Sequence, residues 1–391
     1  LYIFGQNRHR SAYDHDGDGY SEIPKLHGQT IGFRSFLKTT TYSKLTFEYH
    51  HMEEFRRGGD LLNRPPHEAN VAEQTEHSIN GGGLKFDYFS PNENHRFNVF
   101  ASAQHINRDS YYGPGDRDPL DAYGNTTDLN WMAGSQYVYS FGKCIFMPSD
   151  LTAGIEFNQD KLEDNMWGYN RTVDQKVNIG SAFLQNEWKN DHWGFLIGGR
   201  LDKHNLIDHV IFSPRANLRY NPTENINLRF SYSSGFRAPQ AFDEDLHVEN
   251  VGGNVAMVEL ADNLKEERSQ SLSASADIYH RFGAFQVNFL VEGFYTKLSD
   301  VFALTDGEVV DGILTRTRHN ASGAQVLGLT LEGKMAYLNK IQVQAGVTLQ
   351  QSHYSKPHIW NKEAPAVKKM MRTPNTYGYF TATYTPIKPV S

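Results

Sequence analysis

The chain has 391 residues, a formal net charge of −7, 21% charged and 13% aromatic side chains, 33 glycines and a single cysteine. That acidic balance gives no footprint for nucleic acid, and the lone Cys144 excludes an internal disulfide framework and every multi-cysteine metal site. No apolar run approaches the ~18 residues of a membrane-crossing helix, which leaves a transmembrane β-barrel open, because barrel strands alternate lipid-facing and lumen-facing residues.

The opening residues Leu1-Tyr2-Ile3-Phe4 read as already inside a strand. The polar segment Arg8–Gly28 follows and contains Asp14-His15-Asp16-Gly17-Asp18-Gly19-Tyr20-Ser21-Glu22. Carboxylates at alternate positions 14, 16 and 18 converge as hard oxygen ligands once Gly19 turns the chain. The Tyr20 carbonyl and Glu22 then fall at the seventh and ninth positions of a calcium loop. Position twelve is Lys25, where an EF-hand carries a bidentate Glu, so calcium is expected here without an EF-hand. Asp116, Asp118 and Asp121 of a later segment are candidates for the missing carboxylates. A solvated acidic turn is the alternative, since Asp and Gly are ordinary turn formers.

His50 and His51 are neighbours on a strand, so they face opposite ways and cannot chelate together. The stretch from Arg56-Arg57-Gly58-Gly59-Asp60 to Pro65-Pro66-His67-Glu68 reads as an external loop. A charged rim at headgroup level is the preferred reading, with an anionic ligand or a surface lipoprotein as alternative contacts. Gly81-Gly82-Gly83 falls inside a strand, where glycine permits bending or close approach. Cys144 lies beside a turn and reads as an inert, apolar-packed thiol.

Period-two alternation is strongest further along. Ile226, Leu228, Phe230, Tyr232 and Phe236 share one face, opposite Asn227, Arg229, Ser231, Ser233 and Gly235. The same pattern marks Leu272–Ile278, Phe285–Tyr295 and Ile341–Leu349, and no helical stripe competes. Short turn-rich links at 39–43, 91–94, 189–192, 222–224, 281–284 and 338–340 largely alternate with long polar segments at 8–28, 57–76, 109–126, 238–266 and 355–372. The fold class is all-β, a transmembrane antiparallel barrel of about sixteen strands, with tight turns at one end and long loops at the other. Ending near a turn at Pro386–Ser391, the chain is expected to lack flanking strands on both sides.

The run FSPRANLRYNPTENINLRFSYSSGFRAPQAFDEDLH, beginning at Phe212, continues after a loop into ADNLKEERSQS, and Gly328-Leu329-Thr330-Leu331-Glu332 follows downstream. Together these resemble TonB-dependent outer-membrane transporters of Gram-negative bacteria. The resemblance implies a 22-stranded barrel with a plugged lumen, of which residues 1–391 supply the barrel part. The plug and its energy-coupling box, through which the TonB complex acts, are absent from this sequence. It also implies that the lumen-facing Arg215, Arg219, Arg229 and Glu332 hold the plug. An acidic calcium loop at this place is similar to that of cobalamin transporters, whereas GFRAP followed by Asp262-Asn263-Leu264 is similar to the boxes flanking a haem-ligating histidine, here His247.

The resulting expectation is an active transporter of a scarce, bulky nutrient, with cobalamin first and haem or a ferric siderophore as alternatives. Partners are outer-membrane lipid, the TonB complex and the nutrient. A passive porin and an adhesion barrel are rivals of another class. No nucleophile elbow, zincin helix or nucleotide-binding run is present, so no enzyme is expected.

Overall fold

The structure is a computed structural model that describes residues 1–114, 123–167, 171–239, 255–310, 313–338, 340–359, 365–371 and 373–386. Its first eleven strands are β1 (Tyr2–Arg10), β2 (Ser21–Thr40), β3 (Ser43–Gly59), β4 (Val71–Phe89), β5 (His95–Pro114), β6 (Tyr123–Cys144), β7 (Met147–Met166), β8 (Arg171–Lys189), β9 (Trp193–His204), β10 (Ile211–Thr223) and β11 (Ile226–Arg237). The rest are β12 (Val255–Leu260), β13 (Glu267–Phe282), β14 (Phe285–Ser299), β15 (Phe302–Val310), β16 (Ile313–Asn320), β17 (Ala324–Tyr337), β18 (Ile341–His358), β19 (Val367–Lys369) and β20 (Thr376–Tyr384).

Seventeen of these strands form one sheet. Sixteen make an antiparallel meander from β1 to β20, and the three-residue β19 adds to β18. The expectation of about sixteen wall strands therefore holds. β12, β15 and β16 form a separate three-stranded sheet that sequence reading missed, built from the links on either side of β13 and β14. Among the described residues no pairing joins β1 to β20.

Alternation separates the two faces. Ile155, Ala182, Leu201 and Phe212 stand in register across β7 to β10, and Ile155 and Phe212 remain more than half exposed. One residue along, the opposite face carries Glu156, Ser181 and Asp202 in register. Exposed aliphatics on one face and paired polar groups on the other are what a lipid-facing wall with a polar lumen requires. Aromatic rings flank the apolar band. Trp193 stacks on Tyr220 at 4.2 Å and on Phe195 at 5.6 Å near the short turns. Toward the other end the Tyr49 hydroxyl donates to Asn80 (2.8 Å) and the Trp131 indole to Gln159 (3.2 Å). Rings with one polar handle settle where lipid meets water.

The strands outrun the membrane. β6 has 22 residues and β2, β5 and β7 have 20 each, whereas about 9–11 tilted residues suffice for a crossing. The excess stands at the long-loop end. Segments that read as loops in sequence, such as Lys25–Gly28 and Asp109–Gly113, are strand there. Burial concentrates at the same end, in Leu26, Tyr111, Leu162, Met166, Val177 and Ile211, because loops pack on the projecting wall.

Candidate functional site

Three structures occupy the long-loop end: the acidic β1–β2 loop, the ordered β3–β4 loop, and a charged inner wall capped by the small sheet.

In the first, a bridge between Tyr13 and Ile23 closes the acidic loop, with N–H···O distances of 3.0 and 3.2 Å. Asp14 accepts the Gly17 and Gly19 amides at 2.7 and 2.9 Å, Asp18 accepts the Tyr20 amide at 2.8 Å, and Glu22 accepts the His15 amide at 2.6 Å. Gly19 has φ +92°, a left-handed turn that admits glycine most readily. One carboxylate oxygen from each of Asp14, Asp16, Asp18 and Glu22 lies within 4.8 Å of the others. Four exposed like charges this close repel one another unless a cation intervenes. Lys25 lies outside this group, its ammonium 5.9 Å from the centre of the Phe55 ring on the neighbouring strand. Asp116, Asp118 and Asp121 fall outside the described residues.

The β3–β4 loop corrects an expectation. Its arginines were placed on a charged headgroup rim, yet Arg57 is 1% exposed. Its guanidinium turns into the loop and donates to the carbonyls of Gly58 (2.5 Å) and Asp60 (3.1 Å). The Asp60 carboxylate in turn accepts the amides of Val71 (2.9 Å) and Asn70 (3.3 Å) and the Asn70 side chain (2.6 Å). Gly59 has φ +96°, and a Cβ there would collide with the Val71 carbonyl. His67, in the 3-10 turn Pro66–Glu68, meets the Tyr123 hydroxyl at 2.8 Å. The physical reason is backbone demand: a folded loop has carbonyls to satisfy, and a planar five-donor guanidinium satisfies several at once.

Burial alone would raise the Asp60 carboxyl, but the Val71 and Asn70 donors outweigh it and hold its pKa below the usual 3.8. A depressed folded pKa contributes stability in full above the unfolded value, and that contribution is lost as pH falls through the folded one. Asp60→Asn is therefore expected to speed amide hydrogen exchange across residues 60–71 at pH 7. As pH falls below the usual carboxylate range and through the depressed folded value, the wild-type loop should converge on the variant. Equal exchange in the two proteins at pH 7 would refute this role.

Several charged side chains in the upper part of the inner wall are paired. Glu54, 9% exposed, binds Arg56 at 2.6 Å and lies 3.7 Å from Arg8. Arg108 donates to Thr126 at 2.7 Å, and Thr126 donates to Asp164 at 2.6 Å. Arg200 reaches Asp202 at 2.8 Å, Ser181 at 2.8 Å and Glu156 at 3.2 Å, joining three strands. Sequence reading missed these clusters, since only register reveals them. Of the four predicted lumen residues, Arg219 is opposite Arg229 and donates to the Asn190 carbonyl at 2.9 Å, beside a short turn. Arg229 donates to Asn227 at 2.7 Å, Glu332 lies 3.6 Å from Lys334, and Arg215 is opposite Ser233. All four are on the polar face, but they do not form one cluster.

Above the wall, β12 pairs in parallel with β16 from Val255↔Ile313 to Leu260↔Arg318. This zips together the two links on either side of β13 and β14. Phe302 receives Arg237 at 5.5 Å and Arg318 at 5.8 Å over its ring, and Arg318 is 1% exposed. His247, the predicted haem ligand, lies outside the described residues. His50 and His51 diverge as expected: His51 meets Asn80 at 3.0 Å, while the His50 ring covers Gly81, where a Cβ would lie 2.5 Å from it. On the same face of β9, Asp202 is held by Arg200 and Ser181, and His204 accepts the Leu206 amide at 3.0 Å.

The family model described as TonB dependent receptor-like, beta-barrel matches residues 4–389. No curated protein sequence matches the chain. Among solved structures, the chain is similar to the siderophore receptor PirA from Acinetobacter baumannii, with a TM-score of 0.69 and 14% identity, covering 91% of this chain and 58% of that one. It is similar to a mutant of the ferric enterobactin receptor PfeA from Pseudomonas aeruginosa (TM-score 0.66, 13% identity, covering 96% and 64%). A third is the alcaligin outer membrane receptor FauA from Bordetella pertussis (TM-score 0.62, 13% identity, covering 93% and 58%). The chain thus spans 58% of the length of the first of these structures. An antiparallel meander with a lipid-facing band, a polar inner wall and one tall end, matched over residues 4–389, makes this chain a member of the TonB-dependent receptor family, forming outer-membrane β-barrel wall.

Proposed function

We propose that the receptor containing this chain imports a ferric siderophore across the outer membrane, powered by the TonB complex acting on a plug within the barrel. The carrying observation is the tall inner wall, where strands of up to 22 residues rise past the apolar band and present paired Arg, Asp and Glu side chains. Such a vestibule suits a bulky polar chelate better than a small diffusing solute. Its long loops all stand at the same end. Fold relatives named as siderophore receptors support this alternative over the cobalamin reading. The haem reading rests on His247 and the two sequence boxes that flank it.

Asp14, Asp16, Asp18, Glu22 and the Tyr20 carbonyl are proposed to hold a structural calcium ion. Four carboxylates and a carbonyl supply five oxygens, and water completes the six to eight that calcium takes. A calcium-stiffened loop lowers the ordering cost of ligand capture.

The substrate reading is tested with the full-length receptor in a strain lacking it, starved of iron. Growth on ferric chelates is expected to fail without the receptor and to return with it, while cyanocobalamin and haemin leave growth unchanged. Competition by cyanocobalamin, with none by ferric chelates, would restore the corrinoid reading. Solute entry without TonB would favour a porin.

A further inference from the structure

The outward face of β11, β13, β14, β17 and β18 is unlike the rest of the wall. At the height of the apolar band it is indented by a groove of about 840 Å³. The floor is Ala274 and Gly293, opposite each other in register, and a Cβ at Gly293 would meet nothing within 4 Å. Phe230 and Leu272 form one bank and Leu327 and Leu349 the other, all 39–48% exposed.

Four residues above the floor, toward the long loops, a cross-strand row runs Lys297↔Gln325↔His353↔Lys369 on the same face. Hydrogen bonds confirm the shared face: the Tyr295 hydroxyl donates to Gln325 at 3.2 Å, and Gln325 meets His353 at 2.5 Å. Lys297 and Lys369 are exposed. From Phe230 up to this row, period-two alternation puts no Asp or Glu on the outward face of these strands. The outward face of β3 to β5 instead carries Glu53 and, opposite each other in register, Glu76 and Asp109. A positive row directly above an apolar groove matches a ligand with a negative head and a hydrocarbon tail.

We propose that this sector is a seat for a phosphate-bearing acyl lipid of the outer leaflet, with its chain in the Ala274–Gly293 groove and its phosphate on Lys297 and Lys369. The site is separate from the inner wall that handles the nutrient. Gly293→Leu fills the groove without a steric conflict, and Lys297→Glu with Lys369→Glu reverses the row.

The test is native mass spectrometry of the full-length receptor, delipidated in detergent and titrated with lipid A or with phosphatidylcholine of matched chain length. Heat-modifiable gel mobility verifies that each variant is folded. The wild type should retain lipid A at least tenfold better than the zwitterionic lipid. Gly293→Leu should lose retention of both, and the double charge reversal should lose only the preference. Equal retention of the two lipids by the wild type, or retention unaltered in folded Gly293→Leu, would overturn the proposal. So would a dimer that Gly293→Leu dissociates, since a second copy would then occupy the groove.

Discussion

Calcium is expected to slow amide exchange across residues 11–22 of the full-length receptor, and Asp16→Asn is expected to abolish that response. The choice of Asp16 follows from the geometry. Asp14 carries two backbone amides and supports the loop with or without an ion. Asp16 accepts only the Asp18 amide, at 3.3 Å, so its replacement removes chiefly a negative charge. Without calcium, four carboxylates within 4.8 Å repel one another. The variant should then exchange more slowly than the wild type in chelator and faster in calcium. A binding-competent ion present at a hundredfold its dissociation constant adds about 2.7 kcal/mol to the state that binds it, which is ample for this crossover. Terbium luminescence sensitised by Tyr13 and Tyr20 supplies an independent titration. Identical terbium affinity in wild type and Asp16→Asn would sink the site, as would the absence of a crossover.

Legibility from sequence depends on what each face of a strand meets. In Ile226–Arg237 one face meets lipid and the other a polar lumen, so alternation alone reveals both the strand and its orientation. The acidic loop is equally legible, because its four carboxylates lie within nine residues and local turns bring them together. Higher on the wall both faces meet water or packed loops. Arg56 and Arg57 are then both polar, although one pairs with Glu54 and the other is buried beneath a loop. Pattern fails there, and only register tells the two apart. The β12–β15–β16 sheet escapes for a related reason. Strands of 6–9 residues at the mouth of a barrel have no constant environment on either face, and β12 and β16 pair across more than fifty residues of chain.

Those register-dependent contacts also set the larger mutational effects. Arg200→Met is expected to destabilise the barrel by about 2–4 kcal/mol, since it strands a buried carboxylate whose main charged partner is gone. Asp202 is 3% exposed, and after the change it would keep only the Ser181 hydroxyl, at 2.6 Å. Glu156, reached by Arg200 at 3.2 and 3.4 Å, would lose its contact at the same time. The three acceptor and donor strands β7, β8 and β9 are already joined by their backbone ladder, so the fold should survive with its register intact. Removing the stranded charge tests the cause. Asp202→Asn in the Arg200→Met background should recover about half of the loss, because a neutral amide costs less to bury than an ion. Each single change alone should be worse than the pair predicts by addition, as expected for residues in one network. Urea unfolding of the full-length receptor in detergent, followed by heat-modifiable mobility, measures all three. A double variant that loses the sum of the two single effects would show that Arg200 and Asp202 act independently, and that the inner-wall network contributes packing rather than charge pairing.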